Sequence, residues 1–206
     1  MRTQGKYYEI KQRLTNLGQL VPNRMDLDLS HRIGFGTATT YADMDGDTID
    51  ISVGDTLALF STAHTVRGAS TTFRNILANN PQLSRGSLEA MEAVRVQNVY
   101  NQFGEKLSAS DDILWTTDDP NTVNNAKEIL RATSNPAQNN ETVPNLYQGK
   151  YRLVVLPRVA TDKNGANDTT KAKYWGLASS RLSTLMLGVH EEARMKAPPA
   201  AGSNAE

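Results

Sequence analysis

The chain has 206 residues, no cysteine, and 22 basic side chains against 22 acidic ones, so its formal net charge is zero. Without cysteine there is no disulfide scaffold, thiolate zinc site, iron–sulfur cluster or cysteine nucleophile, and an even charge argues against broad electrostatic attraction to nucleic acid. At 38% hydrophobic residues the chain is slightly polar yet able to build a core, and no apolar run approaches the roughly 18 residues of a membrane span.

The start, Met1 to Lys6, carries charge with no apolar stretch behind it. No secretory signal is read there, and a cytosolic chain is expected. Tyr7, Ile10, Leu14 and Leu17 then fall on one stripe of a 3.6-residue period, which predicts a short amphipathic helix ended by Gly18 and Pro22. From Thr37 to Val53 β-branched residues dominate, and Ile49, Ile51 and Val53 alternate with Asp50 and Ser52. Asp45-Gly46 between the halves is a strong hairpin signal, because a type I′ turn needs positive φ. Turn-like spots follow at Arg67-Gly68 and Asn79-Asn80-Pro81.

A long helix is predicted from Ser84 to Phe103, with Ser84 as N-cap, Gly104 beyond its end, and Leu88, Met91, Val96, Val99, Tyr100 and Phe103 as its apolar face. Ile113 to Thr116 reads as a strand. Asp119-Pro120 opens another helix, with Asp at the cap, Pro at the first helical position, and Val123, Ala126 and Leu130 facing inward. Ser134 to Asn145 is a polar loop, Lys150 to Leu156 a strand stopped by Pro157, Thr161 to Lys171 a second polar loop, and Tyr174 to Ala178 a last strand. The tail from Ala197 shows no recognisable element, and no internal repeat is found.

No motif carries chemistry through this reading. Asp43, Asp45 and Asp47 alternate as calcium ligands do, but the glycine is misplaced for an EF-hand and Gly54 stands where its glutamate should be. They read as a solvated turn. Ser61 and His64 suggest a nucleophile and base, but the glycines of a nucleophile elbow are missing. His31, His64 and His190 show no metal-ligand spacing, Gly34-Phe35-Gly36 lacks the third glycine of a dinucleotide fingerprint, and no P-loop triplet exists. Asp119 is better used as a helix cap than as an acid catalyst. No cofactor and no metal is expected.

The order of elements says more than any single motif. A hairpin is followed by Leu59-Phe60-Ser61-Thr62-Ala63-His64, a long helix, the strand with Trp115, the Asp119-Pro120 helix, Asn145-Leu146-Tyr147-Gln148-Gly149-Lys150 leading a strand, and Tyr174-Trp175-Gly176-Leu177. From roughly Met25 to Gly202 this resembles the major capsid proteins of tailed bacteriophages with the Hong Kong 97-type fold, in the subset related to Mu-like phages and prophages. The resemblance implies an α+β chain: an N-terminal segment (1–33), an extended hairpin loop (34–58), a peripheral domain with a spine helix (59–110) and an axial α/β domain (111–206). It implies a virion head protein, made in the host cytoplasm, whose pentamers and hexamers build an icosahedral shell around packaged DNA in weak contact with it. A scaffold and a maturation protease are possible partners.

By the same resemblance the hairpin reaches over a neighbouring subunit, with Asp45, Gly46, Ile49, Ile51 and Val53 as the expected assembly interface. On the family pattern the chain stops in mid-loop at Ala205-Glu206, so a returning C-terminal segment is expected to be missing. Some relatives join a hairpin lysine to another subunit, but this chain has no lysine between Lys11 and Lys106, so no such crosslink is expected. The rival readings are an encapsulin-like compartment enclosing protein cargo and, from another class, a Ser61/His64 hydrolase.

Overall fold

The computed structural model describes residues 2–65, 72–100, 104–108, 110–134 and 144–181. The chain divides into two units, one holding Met1–Met25 and the other formed by Asp26–Thr184. Among the described residues the architecture is mixed α and β, with three α-helices and small sheets. The expected turn at Arg67-Gly68, most of the Ser134 to Asn145 loop, the Ala197 tail and the Tyr7 to Leu17 side-chain stripe lie outside what is described.

Helix α1 runs from Arg2 to Gly34 and keeps Pro22 inside it. The sequence expectation of an end at Gly18 and Pro22 is therefore corrected. A helical glycine costs only about 1 kcal/mol against alanine, and a proline removes one backbone bond. Packing of the residues after Pro22 sets against that cost. Asp26 pairs with Arg158 at 2.9 Å, and His31 is completely buried.

The hairpin is present, with shorter strands than the Thr37 to Val53 run suggested. Strands β1 (Thr40–Ala42) and β2 (Thr48–Asp50) pair antiparallel, Tyr41 opposite Ile49. A second small pair, β3 (His64–Thr65) and β4 (Thr72–Phe73), follows.

Helix α2 spans Arg85–Gln97, 13 residues and about 20 Å, not the 20 residues expected. Its start is as predicted. Ser84 Oγ accepts from Ser87 N at 3.1 Å, while Ser84 N donates to Ser87 Oγ at 2.8 Å, a reciprocal cap. Its end is set by Asn98, whose backbone N–H and side-chain amide both donate to the Val94 carbonyl, at 3.0 and 2.8 Å. Such local amide bonds compete with helix continuation. Leu88, Met91 and Val94 form the inner row at spacings of three, so Val96 points outward, 56% exposed.

Strand β5 (Ile113–Thr116) lies at the centre of a three-stranded sheet, parallel to β6 (Arg152–Val155) and antiparallel to β7 (Trp175–Ala178). Its period of two is clean: Leu114 and Thr116 are fully buried, Ile113 and Trp115 only partly. Helix α3 (Pro120–Arg131) connects β5 to β6 and buries Thr122, Ala126, Ile129 and Leu130. Val123 is half-buried. Pro157 ends the β6 segment and begins a short 3-10 turn to Ala160. The core gathers Leu88, Leu114, Ala126, Ile129, Leu130 and Leu177 with Tyr147 and Tyr151, between α2, α3 and the sheet.

The α3 cap gives a direct check. Asp119 Oδ2 accepts from Thr122 N at 2.9 Å and from Thr122 Oγ1 at 2.8 Å, and these bonds hold its carboxyl below the ordinary range. Asp119→Ala should cost about 1 kcal/mol in urea unfolding at neutral pH. Because the folded-state value is lowered, the wild-type advantage is present above the ordinary carboxylate value and vanishes as pH falls through the lowered one.

Candidate functional site

The hairpin turn is built around one carboxylate. Asp43 Oδ1 accepts from Asp45 N and Asp47 N, each at 2.9 Å, while Asp43 N donates to Asp47 O at 2.9 Å. Gly46 sits at φ +92° inside this turn, a conformation open to glycine without penalty. The loop is thus Asp43 to Asp47, longer than the two-residue turn that Asp45-Gly46 suggested. Asp43 is engaged by backbone N–H groups, as a turn organiser is. Among the described residues no cluster with metal-ligand composition occurs, and no helix is long and apolar enough to cross a membrane.

Of the expected interface residues, Asp45 and Gly46 are exposed at the tip beside Met44, which is 54% exposed. Ile49 and Val53 are half-buried, and Ile51 is only 3% exposed. Opposed residues of an antiparallel pair share a face, so Tyr41 lies with Ile49, and Tyr41 packs inward on the end of α1. Its ring stacks on Phe35 at 4.8 Å between centroids, and His31 meets both rings edge-on at 5.3 and 5.4 Å. Arg32 also donates to the Asp50 carbonyl at 3.3 Å. The chain itself covers much of the hairpin's apolar face.

The aromatic stack continues to a buried cation. Lys171 Nζ lies 3.4 Å from the Phe35 ring centroid, donates to the Thr161 carbonyl at 2.7 Å and stands 3.4 Å from Asp168 Oδ2. Burial pulls the Lys171 pKa down, partly opposed by Asp168. Thr161 Oγ1 donates to the Arg158 carbonyl at 2.7 Å, so at its 3.3 Å contact with His31 Nε2 the ring nitrogen is the donor. Lys171 and His31 were not singled out as partners by the sequence, because the polar Thr161 to Lys171 loop and α1 are far apart along the chain.

His64 finds a carboxylate, not Ser61. His64 Nδ1 lies 2.8 Å from Asp55 Oδ2, and Nε2 lies 3.2 Å from the Leu59 carbonyl. Ser61 Oγ accepts the Ala63 N–H at 3.2 Å, and the Ser61 N–H goes to Asn75 Oδ1. Burial raises Asp55, yet hydrogen bonds from His64, Leu57 and Thr65 outweigh it and leave the carboxyl below its ordinary value. Both imidazole nitrogens face oxygen acceptors, so neither is turned toward a serine proton.

The Asn145 to Lys150 motif forms a clasp. Asn145 Nδ2 donates to the Ile129 and Ala132 carbonyls at 2.6 and 2.9 Å, closing the end of α3. Tyr147 and Tyr151 both donate to the Glu92 carboxylate of α2, which Lys150 Nζ also meets at 2.7 Å. Burial, followed by the Glu92 charge, pushes Tyr147 up to about 12, and burial, followed by the hydrogen bond to Glu92, pushes Tyr151 higher still. Leu146 protrudes from this turn, 76% exposed.

Compared with protein-family models, curated proteins and solved structures, the chain matches none.

Two measurements check these contacts. Ile51→Ala should lower unfolding stability by about 2–4 kcal/mol, as for other buried aliphatic truncations, while Met44→Asp should leave it unchanged. The clasp should act at alkaline pH. Its tyrosines have raised folded-state values, so their contribution is complete below the ordinary phenol value of about 10 and is lost as pH rises through the raised ones. Tyr151→Phe should flatten the alkaline fall in melting temperature. An unchanged slope would mean that the phenols are not coupled to folding.

Proposed function

We propose that this chain is a non-catalytic structural subunit of a self-assembled shell, with the Hong Kong 97-type fold that its order of elements resembles. In this reading it is a phage or prophage head protein whose capsomers enclose packaged DNA. The observation that carries the proposal is the hairpin: its base is packed into the subunit, and its tip is a stiff, carboxylate-braced loop that exposes Met44. A rigid arm with an apolar end suits a contact made on another copy, since little side-chain and loop freedom is lost on docking. The interface is thereby narrowed to Met44, Asp45 and Gly46, with Ile51 serving the subunit itself. The hydrolase reading is weakened because His64 is directed at Asp55 and Leu59, away from Ser61.

Sedimentation and negative-stain imaging of the purified chain test this reading. Closed shells or capsomer rings are expected from wild type. Met44→Asp should retain the wild-type circular dichroism spectrum and sediment as free subunits. Nucleic acid inside the particles would favour a virion head, and protein cargo an encapsulin-like compartment. A wild-type chain that stays monomeric at high concentration, or a Met44→Asp chain that assembles normally, would overturn the proposal in its present form.

A further inference from the structure

Both tryptophans of the chain, Trp115 and Trp175, line one cleft in the Asp26–Thr184 unit, together with Tyr174 and Phe60. Its volume is about 180 Å³. A dry apolar cavity of roughly 150 Å³ is enough to hold benzene, so the space suits one aromatic ring with a small substituent.

The walls are fixed. The Trp175 indole N–H is held by the Pro81 carbonyl at 2.9 Å. Trp115 lies flat over Gly176, where an added Cβ would stand 2.7 Å from the ring. Asn79 and Asn80 are consecutive residues at positive φ, +64° and +44°, and Asn80 borders the cleft. Strained backbone of this kind persists where the surroundings hold it.

The charge on the lining has one sign. Arg95 and Lys173 border the cleft, and no aspartate or glutamate does. Arg95 is matched by a bidentate bond to Asp111, at 2.7 and 3.0 Å. Lys173 is exposed at the rim. It lies within electrostatic reach of Asp119, whose carboxylate is engaged by Thr122 at the cap of α3.

We propose that this cleft is a binding site for a small free aromatic carboxylate, the ring against the indoles and the carboxylate toward Lys173. The site is independent of the shell reading. A second copy supplies no ring from its exposed large hydrophobic side chains, which among the described residues are all leucine, valine or methionine.

The experiment titrates the full chain with benzoate, with benzyl alcohol and with cyclohexanecarboxylate. It follows tryptophan emission and, by NMR, the two indole N–H resonances. Benzoate should give a saturable response at both indoles. The neutral aromatic ring and the non-aromatic anion should each bind about tenfold more weakly, the scale of one lost charged hydrogen bond or aromatic contact. Lys173→Glu, a surface change that leaves the fold intact by circular dichroism, should weaken benzoate about tenfold and leave benzyl alcohol unaffected. Lys173→Arg should keep the wild-type affinity. Absence of saturation, equal responses to all three probes, or undiminished benzoate binding by Lys173→Glu would each overturn the site.

Discussion

A buried ammonium group organises the part of the molecule around the hairpin. Taking a lysine charge out of water costs several kcal/mol unless its protons and field are answered locally. Lys171 is answered by the Thr161 carbonyl, by Asp168 and by the face of Phe35. Phe35 belongs to the turn that follows α1, so the cation fixes where the helix end must lie against the Thr161 to Lys171 loop. Tyr41 stacks on the other side of this aromatic group, and His31 closes it edge-on. Helix end, polar loop and hairpin therefore meet at one point.

That convergence divides the hairpin into two functional halves. Near the base, Tyr41 and Ile51 behave as core residues, and their loss acts on the stability of the chain itself. At the tip, Asp43 draws its hydrogen bonds from the loop's own backbone, so the loop keeps its shape without help from the rest of the fold. Met44, Asp45 and Gly46 are exposed at this tip. On the shell reading proposed above, a tip of this form gains specificity from rigidity rather than from apolar area.

Local features were legible in the sequence because their causes are local. The Asp119-Pro120 start, the Ser84 cap and the Ile113 to Thr116 strand each depend on residues within one turn or one strand, and each stands where the sequence put it. The failures share the opposite cause. α1 passes Gly18 and Pro22 although local propensity alone would end it there. α2 stops early because the Asn98 side chain takes the Val94 carbonyl, a competing bond that apolar periodicity does not register. Ile51 is buried by partners supplied from outside the strand, and the His64 pairing with Asp55 required knowing where a loop folds back.

The same distinction bears on what the motifs mean. Asn145, Tyr147, Gly149 and Lys150 carried much of the capsid resemblance, and each has a structural task. Asn145 closes α3, Gly149 turns at φ +68° and donates to Leu130, and Tyr147 and Lys150 hold Glu92. A sequence that keeps this set keeps the way α2, α3 and β6 are joined. Such a motif is informative about fold and indirect about assembly, since Asn145 and Tyr147 are buried and Lys150 is tied to Glu92. Its exposed apolar residue is Leu146, carried on a turn that Asn145 and Tyr147 hold in place. A partner contact is thus to be sought at what the Asp43 turn and the Asn145 clasp present, Met44 and Leu146, rather than in the bonds that hold them.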